Sequence, residues 1–163
     1  MNGRILLMCV TVATAACSGS DYTQPVDVSG AYAGQVTNGV NSCPGVWVTG
    51  AMADVQVTAA QSGEDVSLQV NGAAALALEG AFGSRSYNGK VSGSHIEALI
   101  IGTVMQMRSG CTWTTNGTVA ADLNGNTLSG TVTYSPQTNN HADCTTEGVA
   151  GCSSAQSFTL TRP

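Results

Sequence analysis

Residues 117–134, GTVAADLNGNTLSGTVTY, alternate apolar with polar side chains on both sides of a central Asn-Gly-Asn. A period of two sends successive side chains to opposite faces of an extended chain. Val119, Ala121 and Leu123 therefore share one face, and Leu128, Gly130, Val132 and Tyr134 share a face of the next strand. Asn and Gly tolerate the positive φ that a tight hairpin demands, which makes 124–126 the turn. The same punctuation returns at QSGED (61–65), SGS (92–94) and RSGC (108–111). This spacing predicts strands over 28–37, 46–60, 65–71, 86–92, 95–107, 111–123, 126–135 and 156–162. Residues 73–85 read as irregular, with AAALALEG (73–80) an ambiguous helical candidate.

Eight strands joined mostly by short turns form a meander. With an even number, the last strand runs antiparallel to the first and can pair with it, which removes both sheet edges. The expected fold is thus all-β, an eight-stranded antiparallel meander closed into a small barrel, with 28–163 as its one domain. The outward phase is polar, as at Thr127, Ser129, Thr131 and Thr133. A membrane-spanning barrel needs the reverse, an apolar outer band with aromatic girdles. Eight aromatic residues, some spent inside, cannot build that band.

The N-terminus has a different character. One arginine, Arg4, precedes an almost wholly apolar run from Ile5 to Ala16, which reads as an export signal over 1–16. The run is too short to span a bilayer, for which about 20 apolar residues are needed. Without it, four basic side chains (Arg85, Lys90, Arg108 and Arg162) face ten acidic ones, a net charge of about −6 with both His neutral. Such a chain offers no electrostatic footprint for nucleic acid.

Cys9 would leave with the signal. Of the rest, Cys43, Cys111, Cys144 and Cys152 form an even set in an exported chain, which reads as two disulfides. Their irregular spacing, with no His in a ligand pattern, argues against zinc. In a closed barrel the connections after strands one, three, five and seven share a rim, and all four thiols fall in or beside connections one, five and seven. Connections one and five face each other across the mouth, farther apart than the about 7 Å that bridged Cα atoms allow. Connection seven neighbours both. The expected bridges are therefore Cys43–Cys152 and Cys111–Cys144, rather than the local pair Cys144–Cys152.

TAAC at 14–17 resembles the signal-cleavage site of bacterial lipoproteins, with Thr14 where that family prefers Leu. The resemblance implies cleavage before Cys17, a lipid on its sulfur (diacylglycerol, with palmitate as an acyl chain) and a flexible tether over 17–27. It further implies membrane anchoring through that lipid at the bacterial cell envelope, on the outer membrane. In the mature part, SGAYAG (29–34) resembles the first strand of lipocalins, with Tyr32 at their Trp position. LNGNTLSGTVTY resembles the Gly-punctuated hairpins of lipocalin-like and avidin-like barrels.

Two side-chain pairs invite a catalytic reading. His95 with Glu97 on one strand face, and His141 with Asp143 in a loop, read as solvated polar pairs, because no nucleophile accompanies either. No enzyme and no cofactor is expected. Tyr32, Trp47, Tyr87, Trp113 and Tyr134 fall on the apolar phase of their strands and are the candidate ligand-lining residues. Small eight-stranded barrels are either filled by side chains or hold one small ligand, and the many inward Gly and Ala leave both open. A cavity of at least about 300 Å3 opening near Trp113 would favour a carrier of a small apolar or amphipathic molecule. A packed interior would favour a non-catalytic surface or assembly protein whose rim loops contact another protein. The long segment 136–153 is expected to cover the rim.

Overall fold

The computed structural model describes residues 24–45 and 47–163. The signal at 1–16, Cys17 and the tether as far as residue 23 lie outside them. In chain order the elements are β1 (Gly30–Asn41), β2 (Met52–Ser62), β3 (Asp65–Asn71), α1 (Gly72–Phe82), β4 (Ser86–Ser92), β5 (His95–Ile100), β6 (Gln106–Arg108), β7 (Cys111–Asn124), β8 (Thr127–Thr138), α2 (Ala142–Thr146) and β9 (Ser154–Thr161).

All pairings are antiparallel. They run β5-β4-β3-β2-β1-β9-β8-β7, and β5 pairs with β7 to close the ring at eight strands, with β6 as a short extra strand on β7. Closure of first strand on last is direct: Val36 stands opposite Phe158, and Gly34 opposite Leu160. The hairpin read first from the sequence is intact, with Ala121 opposite Gly130 and Leu123 opposite Leu128. Ser129, Thr131 and Thr133 are exposed, as the outward phase requires.

Two strand expectations and one loop expectation change. The strand expected over 46–60 is β2, starting only at Met52, because Gly45 (φ 134°) and Gly50 (φ 81°) hold the preceding chain in a left-handed conformation that no strand continues. The strand expected over 95–107 is broken into β5 and β6. Between them Gly102 N–H donates to Asn116 Oδ1 (3.1 Å) and Thr103 N–H to the Phe82 carbonyl (2.8 Å), so the end of α1 takes the place of a ladder partner. The irregular segment 73–85 is largely helix α1, built from Ala, Leu and Glu, which have high helix propensity. It ends at Gly83, in the left-handed region (φ 76°), whose N–H donates to the Glu79 carbonyl.

Tight closure depends on inward glycines such as Gly34 and Gly89. A Cβ on Gly34 would run into the Thr159 carbonyl and the Leu160 backbone, and one on Gly89 into the Glu97 carbonyl. At these points neighbouring backbones approach too closely for any side chain, which lets the strands bend around the barrel.

The two bridges are Cys43–Cys152 and Cys111–Cys144, with Cα separations of 4.9 and 4.8 Å, the pairs expected from the rim geometry. Ser42 N–H donates to the Ser153 carbonyl beside the first, and Ser153 N–H to Ser42 Oγ (both 2.9 Å). Connections one and seven are thereby tied together. The opposite end is shut by the N-terminal segment. Val26 N–H donates to the Gly93 carbonyl, Val28 N–H to Gln61 Oε1, and the Arg162 guanidinium lies 5.1 Å over the Tyr32 ring.

Candidate functional site: a helix-roofed apolar cavity

The interior is solid at one end and hollow at the other. Beside the N-terminal segment, Val28, Tyr32, Val91, Ile96 and Ala121 are all at most 2% exposed and pack on one another. Toward the disulfide-bearing rim a cavity of about 400 Å3 opens between the strands and α1. Its wall includes Val36, Val55, Val57, Leu68, Val132 and Phe158. Its roof is the inner side of α1, through Ala74, Leu78, Ala81 and Phe82. Phe82 reaches across to the Tyr134 ring at 5.4 Å. Ala53 of β2 and Ala77 of α1 line the cavity yet are exposed, so the opening lies where α1 meets β2. Val48, Met52 and Leu76, each more than 60% exposed, belong to the connection, strand and helix of that side.

One polar row crosses this apolar wall. Tyr87 and Tyr134 face each other hydroxyl to hydroxyl at 3.4 Å, and Tyr134 O–H donates to Gln156 Oε1 (2.9 Å). Gln156 Nε2 donates to Asn38 Oδ1 (2.8 Å), and Asn38 Nδ2 to the Val48 carbonyl (3.2 Å). Burial pushes the Tyr87 hydroxyl far above the usual phenol range, and the adjacent Tyr134 adds to the shift. Burial also raises Tyr134. Both phenols are neutral donors and acceptors, and among the described residues no Asp, Glu, Lys, Arg or His lines the cavity.

Of the five expected lining residues, the structure brings Tyr87 and Tyr134 together in the cavity and places the other three elsewhere. Tyr32 belongs to the solid end, where its hydroxyl donates to the Val28 carbonyl (2.9 Å) and accepts from Arg162. Trp47 lies in the connection before β2, and its indole N–H donates to the Gly39 carbonyl (2.9 Å). Trp113 packs on Cys111, Cys144 and Val149, a separate small core around the second bridge, so the cavity does not open near it. Trp47 is in no strand, so the phase expected of it does not exist, and for the strand residues the phase decided only that the ring points inward. Which hollow each one fills depends on its height along the barrel.

The roof likewise differs from expectation. Segment 136–153, with β8 extending to Thr138 and α2 inside it, contributes no lining residue, and α1 does the covering. Asn38 and Gln156 were missed by the sequence reading, although a signal was present. Gln156 shares the inward phase of Phe158 and Leu160, and Asn38 that of Tyr32 and Val36. A polar residue on an apolar phase is the mark of a buried polar partner.

The two acid–histidine pairs lie apart from the cavity. His95 Nδ1 lies 3.0 Å from Asp122 Oδ1 in an exposed cross-strand pair, with Glu97 3.8 Å away. His141 caps α2 by accepting from Asp143 N–H (3.2 Å), and Asp143 Oδ2 accepts from Gly110 N–H (2.7 Å). Neither pair lines the cavity. Among the described residues no group of three or more His, Cys, Asp or Glu could hold a metal ion, and no helix is long and apolar enough to cross a membrane. Comparison with protein-family models, with curated proteins and with solved structures returned no match for this chain.

Proposed function

We propose that this chain is an exported, lipid-anchored carrier or receptor that holds one small apolar or amphipathic molecule at the bacterial cell envelope. The observation that carries this reading is the cavity of about 400 Å3 beneath α1, apolar except for the row ending at Tyr87. Its volume falls in the range of small-molecule sites, about 300–1,000 Å3. An apolar cavity of this kind leaves the wall atoms that face it without protein partners. An apolar guest supplies those partners.

Anchoring rests on TAAC at 14–17 and the preceding apolar run. Residues 24–28 run into the solid end, so a lipid on Cys17 would tether the barrel by that end and leave the opening pointing away from the membrane surface. Cys17→Ser should move the protein from the membrane to the soluble fraction, and retention on the membrane would overturn the anchoring.

Ligand holding is tested with the neutral fluorophore N-phenyl-1-naphthylamine, titrated into the full chain and into Ala81→Leu. Leu at 81 suits the helix and extends into the void. The expected result is saturable one-to-one binding that Ala81→Leu weakens at least about tenfold while the melting temperature holds or rises. Absence of saturable binding, or binding indifferent to Ala81→Leu, would overturn the carrier reading. A second reading would then stand on the outward side of β5 and β6, where Leu99, Ile101, Met105 and Met107 are 40–75% exposed. An apolar stripe of this kind suits contact with another protein.

A further inference from the structure

The row of hydrogen bonds in the cavity wall has one possible direction. The Val48 backbone carbonyl can only accept, so the Asn38 atom facing it is the amide Nδ2. Asn38 therefore turns Oδ1 toward Gln156, which must answer with Nε2. That leaves Gln156 Oε1 facing Tyr134, and the single Tyr134 proton is committed to it. Across the 3.4 Å gap between the two phenol oxygens only the Tyr87 proton remains to be placed. Leaving the gap empty would set lone pairs against each other. Every donor thus points from the cavity toward the rim, and Tyr87 is the last member. It has given away its one proton, and among the described residues no donor reaches its oxygen.

We infer that the cavity selects a neutral apolar molecule carrying a hydrogen-bond donor, an alcohol or phenol O–H, which the Tyr87 oxygen accepts; this rests on the carrier reading above. A ketone, ether or ester of the same shape brings only an acceptor to an acceptor. A carboxylate or ammonium finds no counter-charge in the wall. The alternation of donors also polarises the row, so the terminal oxygen is a better acceptor than an isolated phenol. The shifts of the two phenols agree with this direction: the hydrogen bond raises Tyr87, the donor, and lowers Tyr134, the acceptor, against the larger effect of burial.

The test is displacement of N-phenyl-1-naphthylamine from the full chain by 1-decanol, its methyl ether and 2-undecanone. One neutral hydrogen bond corresponds to about threefold to tenfold in affinity, so 1-decanol should compete better than the ether and the ketone by that factor. Tyr134→Phe keeps the ring against Phe82 but removes the acceptor of the Tyr87 proton, which is then free for the guest. In that variant the ketone should gain about threefold and the preference for the alcohol should vanish. Tyr87→Phe should lower alcohol affinity and leave the ether unchanged. If all three compounds compete equally in the wild type, the donor preference is refuted while the carrier reading stands. If the fluorophore does not bind at all, both fall.

Discussion

Around the N-terminal segment, Val28, Val91, Ile96 and Ala121 are essentially lost to solvent and fill the barrel from wall to wall. Toward the other rim the same eight strands place Val36, Ala53 and Val55 inward, and a void remains beneath α1. The same eight strands run through both ends, so the difference lies in what covers them: the N-terminal segment packs into one end, with Val28 fully buried, whereas α1 only roofs the other. Stabilisation divides accordingly. The solid end is held by burial, at about 25 cal/mol for each Å2 of apolar surface. The hollow end forgoes part of that burial and carries both disulfides. A hollow of this kind exchanges packing for volume, and cross-links at its rim offset the loss.

The largest expected effect comes from removing those cross-links. Cys43→Ala with Cys152→Ala opens a loop of sequence separation 109 and should cost about 5 kcal/mol in the chain-entropy view. Cys111→Ala with Cys144→Ala, at separation 33, should cost about 4 kcal/mol. Urea unfolding of the two double variants measures both, and losses under about 1 kcal/mol would mean that the solid end alone sustains the fold.

Truncation within each half sharpens the contrast. Ile96→Ala creates a void where packing is complete and should cost about 4 kcal/mol. Leu78→Ala only enlarges an existing void and should cost about 1 kcal/mol. Equal costs in thermal or urea unfolding would remove the distinction between a solid and a hollow half.

The smallest effect concerns the phenols of the hollow end. Tyr87 and Tyr134 have raised pKa values in the fold, so the folded state keeps protons that the unfolded chain releases near pH 10. Their contribution is complete below that value and is lost as pH rises above it, by about 1 kcal/mol per phenol at one unit higher. Unfolding measured across that range, with phenolate absorbance followed alongside, checks the sign. Phenolate that appears before the barrel unfolds and is lost in the double variant Tyr87→Phe with Tyr134→Phe would show that these hydroxyls reach water.

Much of the fold was legible because its determinants are local or topological. Alternation identified the strands, and the Asn-Gly-Asn of 124–126 identified the hairpin between β7 and β8. Parity closed the ring of β1 on β9, and the rim positions of the four cysteines then decided their pairing. Helix α1 was less legible: AAALALEG is apolar nearly all round and shows no face, so propensity and pattern pointed different ways. The site was legible only in part. Tyr87 and Tyr134 announced themselves by phase, as Gln156 and Asn38 also did for a reader looking for polar residues out of place.

What the sequence by itself determined is therefore that eight strands close into a ring, the order in which they pair, the cross-links at one rim and the inward phase of most strand side chains, though not where the second strand begins or where the fifth breaks. Each of these follows from a period of two, from turn residues or from counting connections, and none needs a distance across the barrel. Only the tertiary structure decided that α1 roofs the interior, that Tyr32 and Trp113 fill different cores, and that the hollow lies toward the bridged rim. It also decided that the row from Tyr87 to Val48 runs in one direction. These depend on which side chains meet across the ring at the same height, and that is set by strand stagger and by backbone approaches such as Gly34 against Thr159, which join residues more than a hundred positions apart.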